Sequence, residues 1–272
     1  MRAIVVIPAR FGSTRFPGKP LAKQTGKFLI QHVYEQACRA KLATQVLVAT
    51  DDTRILDAVR SFGGQATMTA ETHPSGTDRI AEIMQRPEYQ DVTTVVNVQG
   101  DEPEIDPALI DDLIQQVADP AIPMATAAAP FAHGEEIANP NVVKVVMDQQ
   151  NFALYFSRAV IPHDRDRGIA GVDRQTLSKL YRKHLGIYAY HRSFLLTLAA
   201  TPVCALERVE KLEQLRALYL GAKIYVVQTS HAPHGIDTPE DYAAFVKRQS
   251  AEMQNAKCKN ETRPHPFLHF AF

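Results

Sequence analysis

Short apolar runs alternate with amphipathic segments through the first 120 residues, and this alternation restricts the possible folds more than any other feature. Four short runs with apolar residues have the length of buried strands: residues 3–9, 45–50, 65–69 and 92–99. Between and after them, apolar side chains recur at helical spacing in residues 30–37, 55–62 and 110–117. Alternating strands and helices are typical of a sheet covered by helices. The sequence therefore predicts an α/β fold of Rossmann-like type with a mostly parallel central sheet.

The middle of the chain has a different pattern, which predicts an inserted β element at about residues 130–190. Residues 142–147 and 152–157 read as two strands joined by the tight turn 148–151, as in a hairpin. A long loop is expected over 158–178, followed by a strand at 184–190. We expect one domain over residues 1–250 and a loose C-terminal tail over 251–272.

The last part of the predicted domain returns to the helix and strand pattern. A charged helix is expected over 206–220 and a strand over 224–228. Thr238 and Pro239 have the residue types that cap and begin a helix.

Composition excludes several classes of protein. The 272 residues carry 30 basic and 30 acidic side chains, so no global charge favours nucleic acid or an anionic membrane as a partner. The three cysteines are far apart, which indicates neither a disulfide framework nor a zinc site. No apolar run approaches the length of a membrane span, and no signal-peptide pattern opens the chain. A cytoplasmic protein is expected.

The distribution of charge indicates a local anion site near the N-terminus. The first 34 residues contain six Lys or Arg side chains and no acid, and most of them lie in a loop rich in Gly, Pro, Ser and Thr that follows the first strand. Such a loop presents backbone N–H groups and cations together, which suits a polyphosphate.

Polar clusters follow all four predicted strands of the first half, where ligands bind in open α/β sheets. They are residues 10–19, 50–52, 75–79 and 99–101. The first loop lacks Walker A spacing, because five residues separate Gly12 from Gly18 and Pro20 follows Lys19. No Gly-x-Gly-x-x-Gly dinucleotide fingerprint is present in that loop either. These patterns predict a nucleotide site of another kind.

Ordered motifs across about residues 3–245 resemble the CMP-Kdo synthetase family, the 3-deoxy-manno-octulosonate cytidylyltransferases. They are Arg10-x-Gly-Ser-x-Arg-x-Pro-x-Lys19, Ala49-Thr-Asp51, Ser75-Gly-Thr-Asp-Arg79, Asn97-Val-Gln-Gly-Asp-Glu-Pro103, Ala153-Leu-Tyr-Phe-Ser-Arg158, His184-Leu-Gly-Ile-Tyr188, Leu212-Glu-Gln-Leu-Arg216 and Asp237-Thr-Pro-Glu-Asp241. The resemblance implies the nucleotide-diphospho-sugar transferase fold, in which the inserted β element serves dimerisation and sugar binding. It also implies a homodimer, Mg²⁺, and transfer of CMP from CTP to the 2-hydroxyl of 3-deoxy-manno-octulosonate (Kdo) for lipopolysaccharide biosynthesis.

The same resemblance assigns roles to individual residues. The triphosphate would be held by Arg10, Ser13, Arg15 and Lys19, with Arg10, Lys19 and Asp101 as catalytic residues. Asp101 and Asp237 would bind the metal. The residues around the cytosine would be Pro8, Ala9, Ser75, Gly76, Arg79 and Gln99. The sugar would contact Arg158, His184, Tyr188, Glu207, Glu210 and Gln214.

Several of these residues have a structural interpretation as well. Asp237 has the position of a helix-capping carboxylate, Arg79 is compatible with a helix surface, and His184 lies in an apolar run typical of a core histidine. The spacing of residues 207, 210 and 214 places them on one helix face, which either binds sugar hydroxyls or is simply solvated.

Neither composition nor spacing separates cytosine from uracil, and no general base is identifiable. Related acid sugars, 8-amino-Kdo or a sialic acid, and a non-catalytic binding function remain alternatives.

Overall fold

The fold is described from a computed structural model of the chain. The described residues are 1–12, 15–131, 134–166, 168, 180–230 and 232–261.

The described strands form one nine-stranded sheet. They are β1 (Ala3–Ala9), β2 (Gln45–Thr50), β3 (Ala66–Met68), β4 (Thr94–Asn97), β5 (Met124–Pro130), β6 (Lys144–Met147), β7 (Ala153–Ser157), β8 (Arg182–His191) and β9 (Ile224–Gln228). The main path has the order β3-β2-β1-β4-β8-β5-β9. All its neighbours pair in parallel except β8, which runs antiparallel to both β4 and β5. The predicted mostly parallel sheet is confirmed, with one strand reversed near its centre.

Helices cover the sheet on both faces. They are α1 (Leu29–Ala37), α2 (Thr53–Ser61), α3 (Gly76–Met84), α4 (Pro107–Val117), α5 (Arg192–Ala200), α6 (Ala205–Glu210), α7 (Gln214–Tyr219) and α8 (Pro239–Glu261), with short 3-10 turns at Lys19–Leu21, Pro87–Tyr89 and Gly134–Ala138. Side chains of β1 alternate between two apolar clusters: Val5 and Ile7 pack towards α1 and α4, whereas Ile4 and Val6 pack towards α3 and α5. Burial on both faces explains why β1 is a continuous apolar run.

The predicted hairpin is confirmed. β6 and β7 pair antiparallel, and Asp148 stabilises the turn by accepting hydrogen bonds from the N–H groups of Gln150 and Phe152. β6 also contacts β8 through Lys144 and Lys183. The hairpin is therefore attached beside the reversed strand of the central sheet.

Two regions differ from the prediction. The single helix expected over 206–220 is broken into α6 and α7, because Lys211 adopts a left-handed conformation with φ 55°. α8 continues to Glu261, so the first residues of the segment predicted as a loose tail are helical, while residues 262–272 lie outside the described part. Most of the predicted loop 158–178 also lies outside it.

Within the described residues, none of the helices combines the length and the apolar character that crossing a bilayer requires.

Candidate active site

The site lies at the carboxyl ends of β1 and β4, which are neighbours in the sheet. β1 runs into Arg10, and β4 runs into Gln99, Gly100 and Asp101. Glycine at position 100 lets the two strand ends lie close together, since an added Cβ atom would lie 3.0 Å from the Pro8 carbonyl oxygen. The predicted location beyond the strand ends is the one seen in open α/β sheets.

Lys19 joins the two predicted metal carboxylates. Its Nζ donates to Asp101 Oδ2 at 2.6 Å and to the Ile236 carbonyl at 2.6 Å, and lies 3.9 Å from Asp237 Oδ1. Arg15 donates to the same Asp237 oxygen at 2.9 Å. Residues more than 200 positions apart in sequence thus form one cluster of two cations and two carboxylates, which we call the charged cluster.

The start of α8 settles which role Asp237 has in the fold. Thr238 Oγ1 accepts from the Asp241 N–H, and Asp241 Oδ2 accepts from the N–H groups of residues 237 and 238. This reciprocal arrangement caps the helix with Thr238 and Asp241. The Asp237 side chain is left free to face Lys19 and Arg15, so its interpretation as the cap is wrong.

α8 also fixes the basic loop against the sheet. Phe16, Leu29, Ile236, Tyr242 and Phe245 pack in one apolar cluster, and the Tyr242 hydroxyl accepts from the Gln24 N–H at 2.8 Å. These contacts hold the N-terminal basic loop, which carries Arg15 and Lys19, against the C-terminal segment that carries Asp237.

A cavity of about 190 Å³ adjoins the charged cluster on the side of α3. Its lining includes every residue predicted to surround the base: Pro8, Ala9, Ser75, Gly76, Arg79 and Gln99. A Cβ atom at Gly76 would lie 3.0 Å from the Pro8 ring, so glycine keeps this wall close to β1. Arg79 is only 4% exposed, which shows that its interpretation as a helix-surface residue is wrong. We call this space the base cavity.

A larger cavity of about 730 Å³ opens on the other side of the charged cluster. Arg158, His184, Tyr188 and Gln214 of the predicted sugar residues line it. Gln214 Nε2 is the one fully buried side-chain nitrogen or oxygen without a hydrogen-bond partner among the described residues. A buried donor without a partner costs free energy unless a ligand supplies an acceptor. We call this space the large cavity.

The two predicted sugar-binding glutamates do not line the large cavity. Glu207 forms a buried two-point ion pair with Arg216, at 2.6 and 2.7 Å. Glu210 accepts from the Ser157 hydroxyl and from the Arg158 N–H. The prediction that residues 207, 210 and 214 share one helix face is wrong, because the break at Lys211 separates them.

His184 and Tyr188 contribute uncharged groups to the large cavity. Burial lowers the pKa of His184 to about 3, so the imidazole is neutral at physiological pH. Burial, with a smaller effect of Glu213, raises the pKa of Tyr188 well above its usual value. The His184 Nε2 and the Thr126 hydroxyl are 3.0 Å apart. His184 therefore suits hydrogen bonding to a neutral group and not proton abstraction.

Sequence reasoning missed Glu102 and Lys183, both of which line the large cavity. Burial and the carboxylates of Asp101 and Asp237 raise the pKa of Glu102 to about 8, although Lys183 opposes this shift. Both residues directly adjoin motif residues, Asp101 and His184, but the sequence alone does not tell into which space they point. Ser13, predicted to hold the triphosphate, lies outside the described residues.

Comparison with known proteins identifies the family of the chain. Residues 4–224 match a family described as cytidylyltransferase. A 3-deoxy-manno-octulosonate cytidylyltransferase of Syntrophotalea carbinolica is 50% identical over 242 residues, covering 89% of this chain and 96% of that protein. The chain belongs to the 3-deoxy-manno-octulosonate cytidylyltransferase family. Its namesake from Geobacter sulfurreducens is also 50% identical, over 91% of this chain and 99% of that protein.

Solved structures place the fold of this cytidylyltransferase among known enzymes. A CMP:2-keto-3-deoxy-manno-octonic acid synthetase complexed with CTP aligns with a TM-score of 0.82 and 41% identity, over 94% of this chain and all of that one. A 4-diphosphocytidyl-2C-methyl-D-erythritol synthase from Anaerococcus prevotii, 12% identical with a TM-score of 0.58, shares the fold alone. The nucleotide-sugar transferase fold is confirmed.

Proposed function

We propose that this chain transfers CMP from CTP to the 2-hydroxyl of Kdo and releases pyrophosphate. The observation that carries the proposal is that three spaces adjoin one another: the base cavity, the space around the charged cluster and the large cavity. Gln99 lines the base cavity, the space around the charged cluster and the large cavity, and Asp237 lines the last two. A nucleotide with its base beside α3 directs its phosphates to the charged cluster, with the sugar acid in the large cavity beyond.

The basic side chains of the charged cluster suit a triphosphate. Arg10, Arg15 and Lys19 line one space of about 220 Å³ with Asp101 and Asp237. Arg10 lines the base cavity too, so it is placed to contact phosphate oxygens near the nucleoside. We assign Lys19 and Arg15 to the pyrophosphate that leaves, because their charges offset the charge that develops on it.

Asp101 and Asp237 fit a magnesium site shared with the substrate. Their carboxylates lie on either side of one Lys19 ammonium group, and no third His, Cys, Asp or Glu completes a metal-binding group within the described residues. Mg²⁺ takes one or two protein carboxylates and fills its remaining positions with phosphate and water. When bound, it would neutralise charge on the reacting phosphate.

The reaction is a displacement at the α-phosphorus of CTP. The 2-hydroxyl oxygen of the sugar forms a bond to that phosphorus, the bond to the bridging oxygen of the β-phosphate breaks, and its electron pair leaves with pyrophosphate. The hydroxyl proton passes to solvent. The protein contributes mainly by holding both substrates in line and by placing cations beside the leaving group.

Polar groups of the large cavity support a polyhydroxylated ligand. The unpaired Gln214 amide, the Tyr188 hydroxyl and the neutral His184 ring offer donors and acceptors without adding charge. Arg158 brings a cation to the same wall, although its guanidinium already donates to the carbonyl oxygens of Pro140 and Glu210.

A panel of sugars and nucleotides tests the proposal. Pyrophosphate release is measured with CTP or UTP, and with Kdo, 8-amino-Kdo or a sialic acid, followed by mass analysis of the product. We expect CTP with Kdo to give the highest kcat/KM. Turnover with another sugar but not with Kdo would overturn the substrate assignment, and no turnover with any pair would favour a binding protein.

Asp101→Asn tests the metal role. Because the change keeps the side-chain shape and removes one negative charge, we expect an intact fold with turnover reduced by a factor of about 100 or more. The matched control is Asp106→Asn, since Asp106 caps α4 and asparagine caps equally well. Full activity of Asp101→Asn at saturating Mg²⁺ would contradict the role.

The homodimer implied by the resemblance belongs to this proposal as well. We place the subunit contact on the inserted hairpin, where Leu154 on β7 exposes 62% of its surface and can be tested by substitution. The cytoplasmic location and the role in lipopolysaccharide biosynthesis stay predictions.

A further inference from the structure

Arg79 is held in place by Asp51, a residue that has no role in the proposed function. Its Nη2 donates to Asp51 Oδ2 at 2.5 Å, and the side chains of Arg79 and Asp51 are 5% and 18% exposed. The Arg79 Nη1 donates to the Thr69 hydroxyl and, at 3.5 Å, to the Ala70 carbonyl oxygen. Three contacts to described residues thus fix the guanidinium.

The groups that hold Arg79 rest on the rigid edge of the sheet. Asp51 directly follows β2 and Thr69 directly follows β3, and these strands pair in parallel up to Thr50 and Met68. The Thr69 N–H and hydroxyl both donate to the buried Thr50 carbonyl oxygen, at 2.9 and 3.2 Å. Anchors on strand ends are more exact in position than anchors on loops.

The guanidinium has more donors than its contacts with described residues use. Arginine carries five N–H donors, and three contacts with described residues account for part of them. The Arg79 Nε atom has no hydrogen-bond partner among those residues. It is not fully buried, because it is absent from the fully buried atoms that lack a partner. Arg79 lines the base cavity, so donors that these contacts leave unused are close to a base bound there.

From this geometry we infer that Asp51 is a positioning residue for nucleobase selection, acting through Arg79. The inference rests on the proposed function, because it needs the base in the cavity beside α3. Cytosine presents N3 as an acceptor, whereas uracil presents N3–H as a donor. A guanidinium held at a fixed place and angle therefore discriminates between the two bases, and a mobile guanidinium discriminates less.

A purely structural ion pair is the competing explanation. Buried ion pairs are often no more stabilising than apolar side chains of similar size. A contribution to stability therefore does not by itself explain why Arg79 and Asp51 are paired. The two explanations differ in what Asp51→Asn changes. A structural pair predicts a lower melting temperature with unchanged selectivity for CTP, and a positioning pair predicts a loss of selectivity.

The experiment compares steady-state kinetics of Asp51→Asn and Asp52→Asn with CTP and UTP at saturating sugar and Mg²⁺. Asp52 is the matched control, because it follows the same strand but caps α2 and pairs with Arg54. For Asp51→Asn we expect a rise of about tenfold or more in the KM for CTP, with a smaller change in kcat. The ratio of kcat/KM between CTP and UTP should fall by a similar factor, and Asp51→Glu should restore part of it.

Two further variants keep the outcomes separable. Thr69→Val removes another anchor and should shift the CTP to UTP ratio in the same direction, which covers the case in which Asp51→Asn fails to fold. Arg79→Lys tests the base assignment itself. If Arg79→Lys loses selectivity and the Asp51 and Thr69 variants keep it, the inference is overturned while the proposed function stands. If Arg79→Lys keeps full affinity and selectivity for CTP, the placement of the base is wrong.

Discussion

At the scale of single residues, Lys19 is the side chain on which the site converges. It is 11% exposed and has both metal-binding candidates within 4 Å. It lines the space around the charged cluster, which shares Gln99 with both the base cavity and the large cavity. A cation in that place stabilises a departing pyrophosphate more than it stabilises bound CTP.

Lys19→Met should therefore lower kcat by a factor of roughly 100 to 1,000, with a smaller change in the KM for CTP. Lys23→Met is the control from the same basic segment, because the Lys23 ammonium lies 4.4 Å from the Phe28 ring centre and lines none of the three site cavities. Initial rates of pyrophosphate release measure both. Equal effects of the two substitutions would show that general charge, and not position, matters.

Residue types and motif order were enough to predict which groups meet at the site, but not what each one contacts. Asp237 was ambiguous because its sequence context also suits a helix cap, and only the hydrogen bonds of Thr238 and Asp241 decide between the two. Glu207 has the spacing of a ligand-binding residue, yet Arg216 holds it in the interior. Such partners come from distant or separately folded elements, so spacing does not reveal them.

At the scale of elements, regular apolar runs were predicted well and irregular elements were not. β1 and β2 have the predicted bounds, since both are continuous buried runs. β5 was missed, because a strand of mostly alanine has low β-propensity and forms only through its pairing with β8 and β9. The break between α6 and α7 was missed as well, because Lys211 is neither Gly nor Pro and gives no breaker signal.

The capping of α8 gives a prediction at this scale. Asp241→Ala removes the acceptor for two backbone N–H groups at the start of the helix. It should lower the free energy of unfolding by about 1 kcal/mol, measured by urea denaturation. Glu240→Ala changes an exposed carboxylate of the same turn and should have a smaller effect. A loss equal to that of Glu240→Ala would mean that the cap does not stabilise the helix.

At the scale of the whole molecule, stability should depend on acid through Glu82. Burial opposes ionisation of Glu82, but hydrogen bonds from the Ala70 N–H, His73 and Arg86 lower its pKa to about 2. A carboxyl whose folded pKa lies below its unfolded value of 4.5 stabilises the fold above that value. The stabilisation is lost as the pH falls from about 4.5 to about 2.

Glu82→Gln should reduce this acid dependence of the free energy of unfolding by about 1 to 3 kcal/mol between those pH values, since solvent partly screens a carboxylate whose side chain is 29% exposed. Urea unfolding at several pH values measures it, with Glu88→Gln on an exposed residue of the next turn as the control. An unchanged slope of stability against pH in Glu82→Gln would contradict the assignment.

Subunit association is the second property of the whole molecule. Leu154→Lys places a charge on the exposed apolar position of the hairpin. If the hairpin carries the dimer contact, the substitution should shift the chain towards monomer in light scattering after size exclusion. Leu42→Lys, at an exposed apolar position outside the hairpin, should leave the mass unchanged. A dimer of unchanged stability in Leu154→Lys would place the contact elsewhere.

If the joined cavities carry out one transfer from CTP to Kdo, pyrophosphate and CMP-Kdo form in a fixed ratio. Pyrophosphate and CMP-Kdo are quantified together, with the purified chain, CTP, Kdo and Mg²⁺, and with each component left out in turn. We expect one pyrophosphate for each CMP-Kdo and no release when any component is missing. Pyrophosphate release that does not require Kdo, or the absence of CMP-Kdo when all components are present, would contradict it.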